Sequence, residues 1–352
     1  MIQEMTPRDR VVAALERKPH DRVPYIEHAF DFSVAIAIAG GLENLVSDRE
    51  LLERLTANEV GTNSIFDLAE LEPEISRVTG RENITYWGAF HPFVFGSYAL
   101  NEAQAERGFN ADGLLKTRDD IRHMRFRTIN EEFWEPAQRF LDLKADYAAC
   151  AMIWLGIDPT WHSMGFEHFA ISLVTTPGLV AEFLGRISDW CAEVAAGLCS
   201  LGFDYIWAAD DIAYNTSPMF SPDQYRDVLL PHTKKVAEQI TLPWVYHSDG
   251  NLLPILDDMI TQGMNAIHPL EPGSMDLAEL YDAYGKRLSF VGNINMDTLA
   301  RGTKEVVRQE VRDRIALLGP GNGYLLSSSN SIAAYRTTEN VIEMVAALRE
   351  YG

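Results

Sequence analysis

The sequence is short of cysteine, of basic charge and of long apolar runs, and each shortage excludes something. Only three cysteines occur among 352 residues, Cys150, Cys191 and Cys199, with no Cys-x-x-Cys pair and no zinc-finger spacing. That excludes a disulfide framework, and a sparse, odd count fits a reducing compartment. Basic residues number 30 against 51 acidic ones, a formal net charge of −21. Such a chain repels phosphate backbones and anionic membranes, so nucleic-acid and membrane partners are not expected. No run of eighteen apolar residues exists to cross a bilayer. The N-terminal stretch MIQEMTPRDRVVAALERKP is charged and lacks the apolar core of a signal peptide, so the expected compartment is the cytoplasm. No Gly-x-Gly-x-x-Gly follows a first strand, which argues against a dinucleotide-binding fold.

What is present is a regular alternation. From Asp146 onward, short apolar runs (YAACAMIWLG, DYIWAADD, LPWVYHSDG, MNAIHPLEP, RLSFVGNIN, GYLLSSSN) alternate with helical stretches, several of which end in glycine. Strand–helix alternation predicts parallel strands with crossover helices, and continuous apolar runs predict strands buried on both faces. Six such units, the early run VPYIEHA and one strand in the less legible region before Asp146 make eight. The expected fold is therefore α/β, a (β/α)8 TIM barrel with N-terminal helical additions, with residues 1–352 as a single domain. Within the less legible region, ITYWGAFHPFVFGSYAL reads as a core strand pair or as a hairpin over a pocket.

In such a barrel the chemistry sits at the C-terminal ends of the strands. The strand candidates run into Glu27 and His28, Asp158, Asp210 and Asp211, His247 to Asp249, Glu271, Asn293, and Ser327 to Asn330. Helix capping explains Asn251, Asp276 and Ser221, the last followed by Pro222 at a first helical turn. It does not explain His247, because histidine is a poor cap. His247 and Asp249 are two apart, so on extended chain both side chains point the same way and could ligate a divalent metal or form an acid–base pair. Of Asp210 and Asp211 only one faces the barrel axis, and the sequence does not say which. Cys191 and Cys199 lie eight apart on one helix and read as core.

The order of features resembles the uroporphyrinogen decarboxylase superfamily. The stretches that carry the likeness are TPRDRVVAALERKPHDRVP, HSDGNLLPILDDMITQGMNAIHPLEP, GKRLSFVGNINMDTLARGTKEVVRQEV, GNGYLLSSSNSI and TTENVIEMV. The resemblance implies a TIM barrel. One branch of the superfamily, the decarboxylases of heme synthesis, binds a tetrapyrrole polycarboxylate with an arginine-rich N-terminal segment of the type RQAGRY. This chain carries EHAFDFSV there, without the arginines. The other branch comprises methyltransferases that work with corrinoid proteins, many holding zinc on a His-x-Cys pair and a later cysteine. Here the pair reads His247-Ser248-Asp249, and Ser327 to Ser329 stand near the later position.

The resemblance to the second branch implies a methyltransferase of the O-demethylase type. It would carry a methyl group from a small methoxylated or methylated substrate to a separate corrinoid protein, since the chain has no corrinoid-binding Asp-x-His-x-x-Gly. Catalytic candidates are His247, Asp211 and Asp249. Metal candidates are His247, Asp249, Asp211 and Glu271, with zinc the first expectation and manganese or iron suited to the harder oxygen ligands. Substrate-pocket candidates are Glu27, His28, Trp87, Tyr214, Asn293 and Ser328. The alternatives are a metal-free decarboxylase or other lyase acting on a carboxylic acid, and a non-enzymatic barrel that binds a ligand or a corrinoid protein.

Overall fold

The computed structural model of the chain describes residues 4–56, 69–93, 113–334 and 338–352. Among these, seven strands pair in parallel and in sequence order: β1 (Asn83–Tyr86), β2 (Ala148–Trp154), β3 (Tyr205–Ala209), β4 (Trp244–His247), β5 (Ala266–His268), β6 (Ser289–Ile294) and β7 (Tyr324–Ser328). Nearly every strand residue is buried, as runs of Ala, Ile, Val and Leu covered on both faces require.

Residues 24–27 take the eighth position in the ring. The Ile26 N–H donates to Leu326 O (3.0 Å) and the Leu326 N–H to Pro24 O (2.9 Å). On the other side the Glu82 N–H donates to Tyr25 O (2.8 Å), and the Asn83 side chain bonds the Glu27 backbone. The run VPYIEHA thus lies between β7 and β1 and closes the sheet on itself, which removes its free edges. Among the described residues the helices Pro7–Leu15, Phe32–Ala39, Leu42–Leu45, Arg49–Thr56 and Glu72–Thr79 precede β1 as the expected N-terminal additions.

Side chains alternate across each strand. Ile26, Cys150, Met152, Tyr205, Trp207, Val245, Ala266, Val291 and Leu325 form one interior cluster, and the helix Pro7–Leu15 plugs it with Val11, Ala14 and Leu15. That helix begins as its sequence predicts, with Thr6 accepting the Asp9 N–H (3.1 Å) and Pro7 at the first turn. Its Arg10 is buried and holds the floor of the barrel together. It donates to Asp21 (2.6 and 2.8 Å), to Met5 O (2.6 Å) and to Glu82, which also takes Arg22.

Elsewhere the expected helices form with local irregularities. One of the helical stretches of the alternation, SPDQYRDVLLPHTKKVAEQI, is helical without a break from residue 222 to residue 237, with a Ser221 capping box at its start and a wider, π-type turn at Tyr225–Leu229. Pro231 has no N–H to continue the regular ladder, which explains the wider turn before it. NLLPILDDMITQG gives only a tight turn at Leu253–Ile255 and a helix at Leu256–Ile260. Of the aromatic segment, the first residues form β1, and those from 94 to 100 lie outside the described residues. No helix among the described residues is long and apolar enough to cross a membrane.

Candidate functional site at the C-terminal mouth of the barrel

Strand parity decides which polar groups reach the axis. In β3, Tyr205, Trp207 and Ala209 point inward, so Asp211 follows them and Asp210 turns the other way. Asp210 is buried and accepts the backbone N–H groups of Gly156 (3.3 Å), Ile157 (3.1 Å) and Asp158 (2.9 Å) at the start of the helix Ile157–Met164. Burial pushes its carboxyl up to about 7, although those three donors pull the other way. Asp210 therefore fixes the loop after β2, and Asp211 is the member of the pair that faces the site. Burial, with the charges of Asp211 and Asp210, drives Asp158 well above the carboxylate range. Its other partners are the Asp211 N–H (3.2 Å) and His162 Nε2 (3.2 Å).

Val245 and Ala266 also point inward, so His247 and His268 do as well. His247 turns Nε2 toward Asp211 Oδ1 (3.6 Å) and Nδ1 toward His268 Nδ1 (2.6 Å). Asp249, two residues on, comes to the same place: ligand atoms of Asp211, His247 and Asp249 all lie within 4.8 Å of one another. The arrangement is held from behind. Asp211 Oδ1 accepts the Asp249 N–H (3.2 Å), and Asn330 Nδ2 donates to both oxygens of Asp249 (2.9 and 3.2 Å). Burial pushes the Asp249 carboxyl up to about 6, the nearby His247 pulls it down, and Asp211 and Glu271 push it up again.

The loop that carries Asp249 needs Gly250. Its φ is +87°, and a Cβ there would meet Tyr214 O at 2.6 Å and Ala213 O at 2.7 Å. Glu271, expected as a ligand, accepts the Gly250 N–H (3.1 Å) instead and stands outside the Asp211–His247–Asp249 set.

His28 is buried on the opposite wall, its Nε2 3.2 Å from Ser331 Oγ and its ring between Trp87 and Trp207. Burial, and then the charge on His247, drives its pKa well below the usual histidine range. His268 behaves alike, so both rings are neutral at neutral pH. Glu27 lies between the closing segment and β7, accepting from Ser327 Oγ (3.0 Å), the Ser328 N–H (2.8 Å) and Ser328 Oγ (2.8 Å). Burial nonetheless raises its carboxyl to about 7. Asn293 is tied to Leu270 O (2.7 Å), and Tyr214 is half-exposed with its ring against Phe166. The structure thus gathers His28, Asp211, His247 and Asp249 at one mouth. It turns Glu27 and Ser328 toward each other, and it leaves Tyr214 at the rim.

Sequence reasoning missed His268. The signal was available: it ends a strand, as His247 does, in the run Ala-Ile-His before Pro269. Glu271 drew attention instead because it is the carboxylate into which that apolar run leads.

The chain belongs to the uroporphyrinogen decarboxylase (URO-D) family, whose model matches residues 161–351. Its relatives include a methylcobamide:CoM methyltransferase MtaA of Methanosarcina barkeri, 30% identical over 178 residues, with 49% of each chain covered. A methylated-thiol–coenzyme M methyltransferase of Methanosarcina mazei is 23% identical over 158 residues, 44% of this chain and 41% of that protein. The matched region spans about half the length of these curated relatives. The solved structure of a methyltransferase from Methanosarcina mazei has the same fold over 99% of both chains, with a TM-score of 0.71 and 19% identity.

Proposed function

We propose that the protein is a methyltransferase that takes a methyl group from a small methoxylated or methylated compound and passes it to a corrinoid carried by a separate protein. The observation that carries this reading is the convergence of Asp211, His247 and Asp249 at the mouth of the barrel. Membership of the family and the corrinoid and methyl-transfer names of its relatives support it.

The donor set is one imidazole nitrogen and two carboxylates. The cysteines lie away from it, Cys150 within β2, and Cys191 and Cys199 on the helix Pro177–Leu201. Those donors fit a divalent cation of borderline or hard character, such as zinc, manganese or iron, better than a thiolate-bound one. A cation held there would act as a Lewis acid toward the oxygen that loses its methyl group. The remaining work falls to the chain itself. Asp211 and Asp249 supply the negative charge that holds the cation. Asn330 and the Asp249 N–H fix their directions. Trp87, Trp207 and His28 wall the lumen beside them, and exclusion of water there strengthens every electrostatic contact. Asp211, Asp249 and Glu271 stand together at this mouth, so a carboxylate substrate would meet like charges. That favours a neutral ether or amine as methyl donor over the acid a decarboxylase would need.

The test is metal content of the protein purified without chelators, beside methyl transfer from a panel of methoxylated aromatics and methylamines to a corrinoid protein. We expect close to one divalent metal per chain and measurable transfer, both lost in His247→Ala. A metal-free, transfer-inactive wild type across the whole panel would overturn the proposal.

A further inference from the structure

We propose that His28, His247 and His268 form a second cation position, deeper in the barrel than Asp211–His247–Asp249 and sharing His247 with it. The inference rests on the preceding reading only through that shared residue. Ligand atoms of the three rings lie within 4.8 Å of one another, and all three residues are buried. The rings pack as a triangle, with centroids 5.1 Å apart for His28–His247, 5.1 Å for His28–His268 and 4.9 Å for His247–His268. Trp207 underlies them, its ring 4.8 Å from His268 and 5.3 Å from His28.

His28 Nδ1 is buried with no hydrogen-bond partner, and His268 Nε2 has only a backbone contact with Ser328. A buried polar atom left unpaired costs about 1–3 kcal/mol. Such orphans in a native fold call for an ion or a water. With His28 Nδ1 unpaired and the Nδ1 atoms of His247 and His268 already facing each other at 2.6 Å, the cluster of three imidazoles points to a shared ligand. Nitrogen donors alone suit a late first-row cation, zinc, copper, nickel or iron, and not magnesium or calcium, which take oxygen.

The sharing of His247 makes the two positions alternatives. A neutral imidazole offers one lone-pair nitrogen and carries its proton on the other. His247 faces His268 with Nδ1 and Asp211 with Nε2. It therefore serves one position at a time, and its proton moves to the other ring nitrogen when the cation changes place, with no net gain or loss. In the present arrangement the two Nδ1 atoms, 2.6 Å apart, share a proton. Two nitrogens on one tetrahedral ion at ordinary bond lengths stand about 3.3 Å apart. A cation held by both Nδ1 atoms would part these rings by less than an ångström.

The experiment loads the full chain with one equivalent of copper(II) and counts bound imidazoles by electron paramagnetic resonance, with zinc content measured in parallel. In the wild type we expect a three-nitrogen component and zinc saturating at one per chain. The double variant Asp211→Asn/Asp249→Asn should keep its zinc and show the three-nitrogen signal alone. The variant His28→Gln/His268→Gln should keep zinc but lose that signal. A one-nitrogen signal in the wild type, which requires no variant to fold, would overturn the inference, as would two zinc ions per chain. Zinc lost from the aspartate variant and kept by the histidine variant would also overturn it, while leaving the carboxylate position and the proposed function standing.

Discussion

His247 and His268 are register partners on β4 and β5, and their Nδ1 atoms lie 2.6 Å apart. Because one ring occupies the other's Nδ1, the Nε2 of His247 is directed at the carboxylates. The second nitrogen of a metal-binding histidine is usually held by such a partner, which sets tautomer and direction. The mouth of this barrel is thus ordered by groups that need not touch a substrate.

Asn330 is one of them. Asn330→Leu removes both hydrogen bonds to Asp249 and leaves that side chain free to rotate. Cation affinity should fall about 10- to 100-fold, as when other outer partners of metal ligands are removed. The melting temperature should change little. Competition with a chelator of known affinity measures this, and an unchanged affinity would show that Asn330 does not orient the ligand.

Gly250→Ala should damage the same loop through its backbone. The new Cβ meets two carbonyl oxygens at 2.6–2.7 Å, at a φ that side chains avoid. A cost of about 1–3 kcal/mol is expected from the strained conformation. Urea unfolding of variant and wild type reads this directly, and a difference below a few tenths of a kcal/mol would contradict the geometry.

Below the barrel, the floor should respond to acid. Asp21 is held well under its ordinary range, chiefly by the hydrogen bonds from Arg10. A carboxyl whose pKa is lower in the folded state stabilises the fold above the unfolded value, near 4, and loses that contribution as the pH falls further. Wild type should therefore lose more stability than Asp21→Asn between pH 5 and pH 2, by about 1–3 kcal/mol, the range for a hydrogen bond to a charged group. Parallel acid-limb slopes in denaturant titrations would refute the role of this pair.

Arg81 provides a test at the first strand. It is wholly buried and donates to Glu72 (2.6 Å) and Ser76 (3.0 Å), while Glu72 also takes the Thr85 N–H (2.7 Å) of β1. Arg81→Met strands the Glu72 charge and should cost about 3–5 kcal/mol, whereas Arg81→Met/Glu72→Leu should recover much of it. Thermal unfolding of the three proteins decides. A double variant no better than the single would mean that the pair does more than compensate its own burial.

Much of this architecture was legible because the barrel imposes simple rules on its sequence. Strands covered on both faces need unbroken apolar runs, and the runs ending at Trp154, Ala209, His247, Ile294 and Ser328 supply them. The period of two then carries inward-facing residues up to His247 and Asp249. The same period could not choose between Asp210 and Asp211, because that choice depends on where β3 sits around the axis. It missed His268 because a three-residue strand, Ala266–His268, is too short to display a period. Nor could it foresee that Glu271 would be spent on the Gly250 N–H, a contact between two loops that no local pattern encodes. The widened turn before Pro231 showed only as a proline inside a helical stripe, and the stripe does not say how the hydrogen-bond ladder will adjust to it.

The closing segment also has a consequence for biosynthesis. Glu27 and Ser327 touch although 300 positions separate them. Residues 24–27 leave the ribosome before β1 to β6, yet the neighbour on one side of them is β7, made after all of these. Until β7 emerges, the nascent sheet is an open sickle with bare edges at residues 24–27 and at its newest strand, each able to pair with another chain. The first of the eight strands to be synthesised is thus the last to be bonded on both sides, and His28, just beyond it, is fixed against His247 and His268 only when the ring closes.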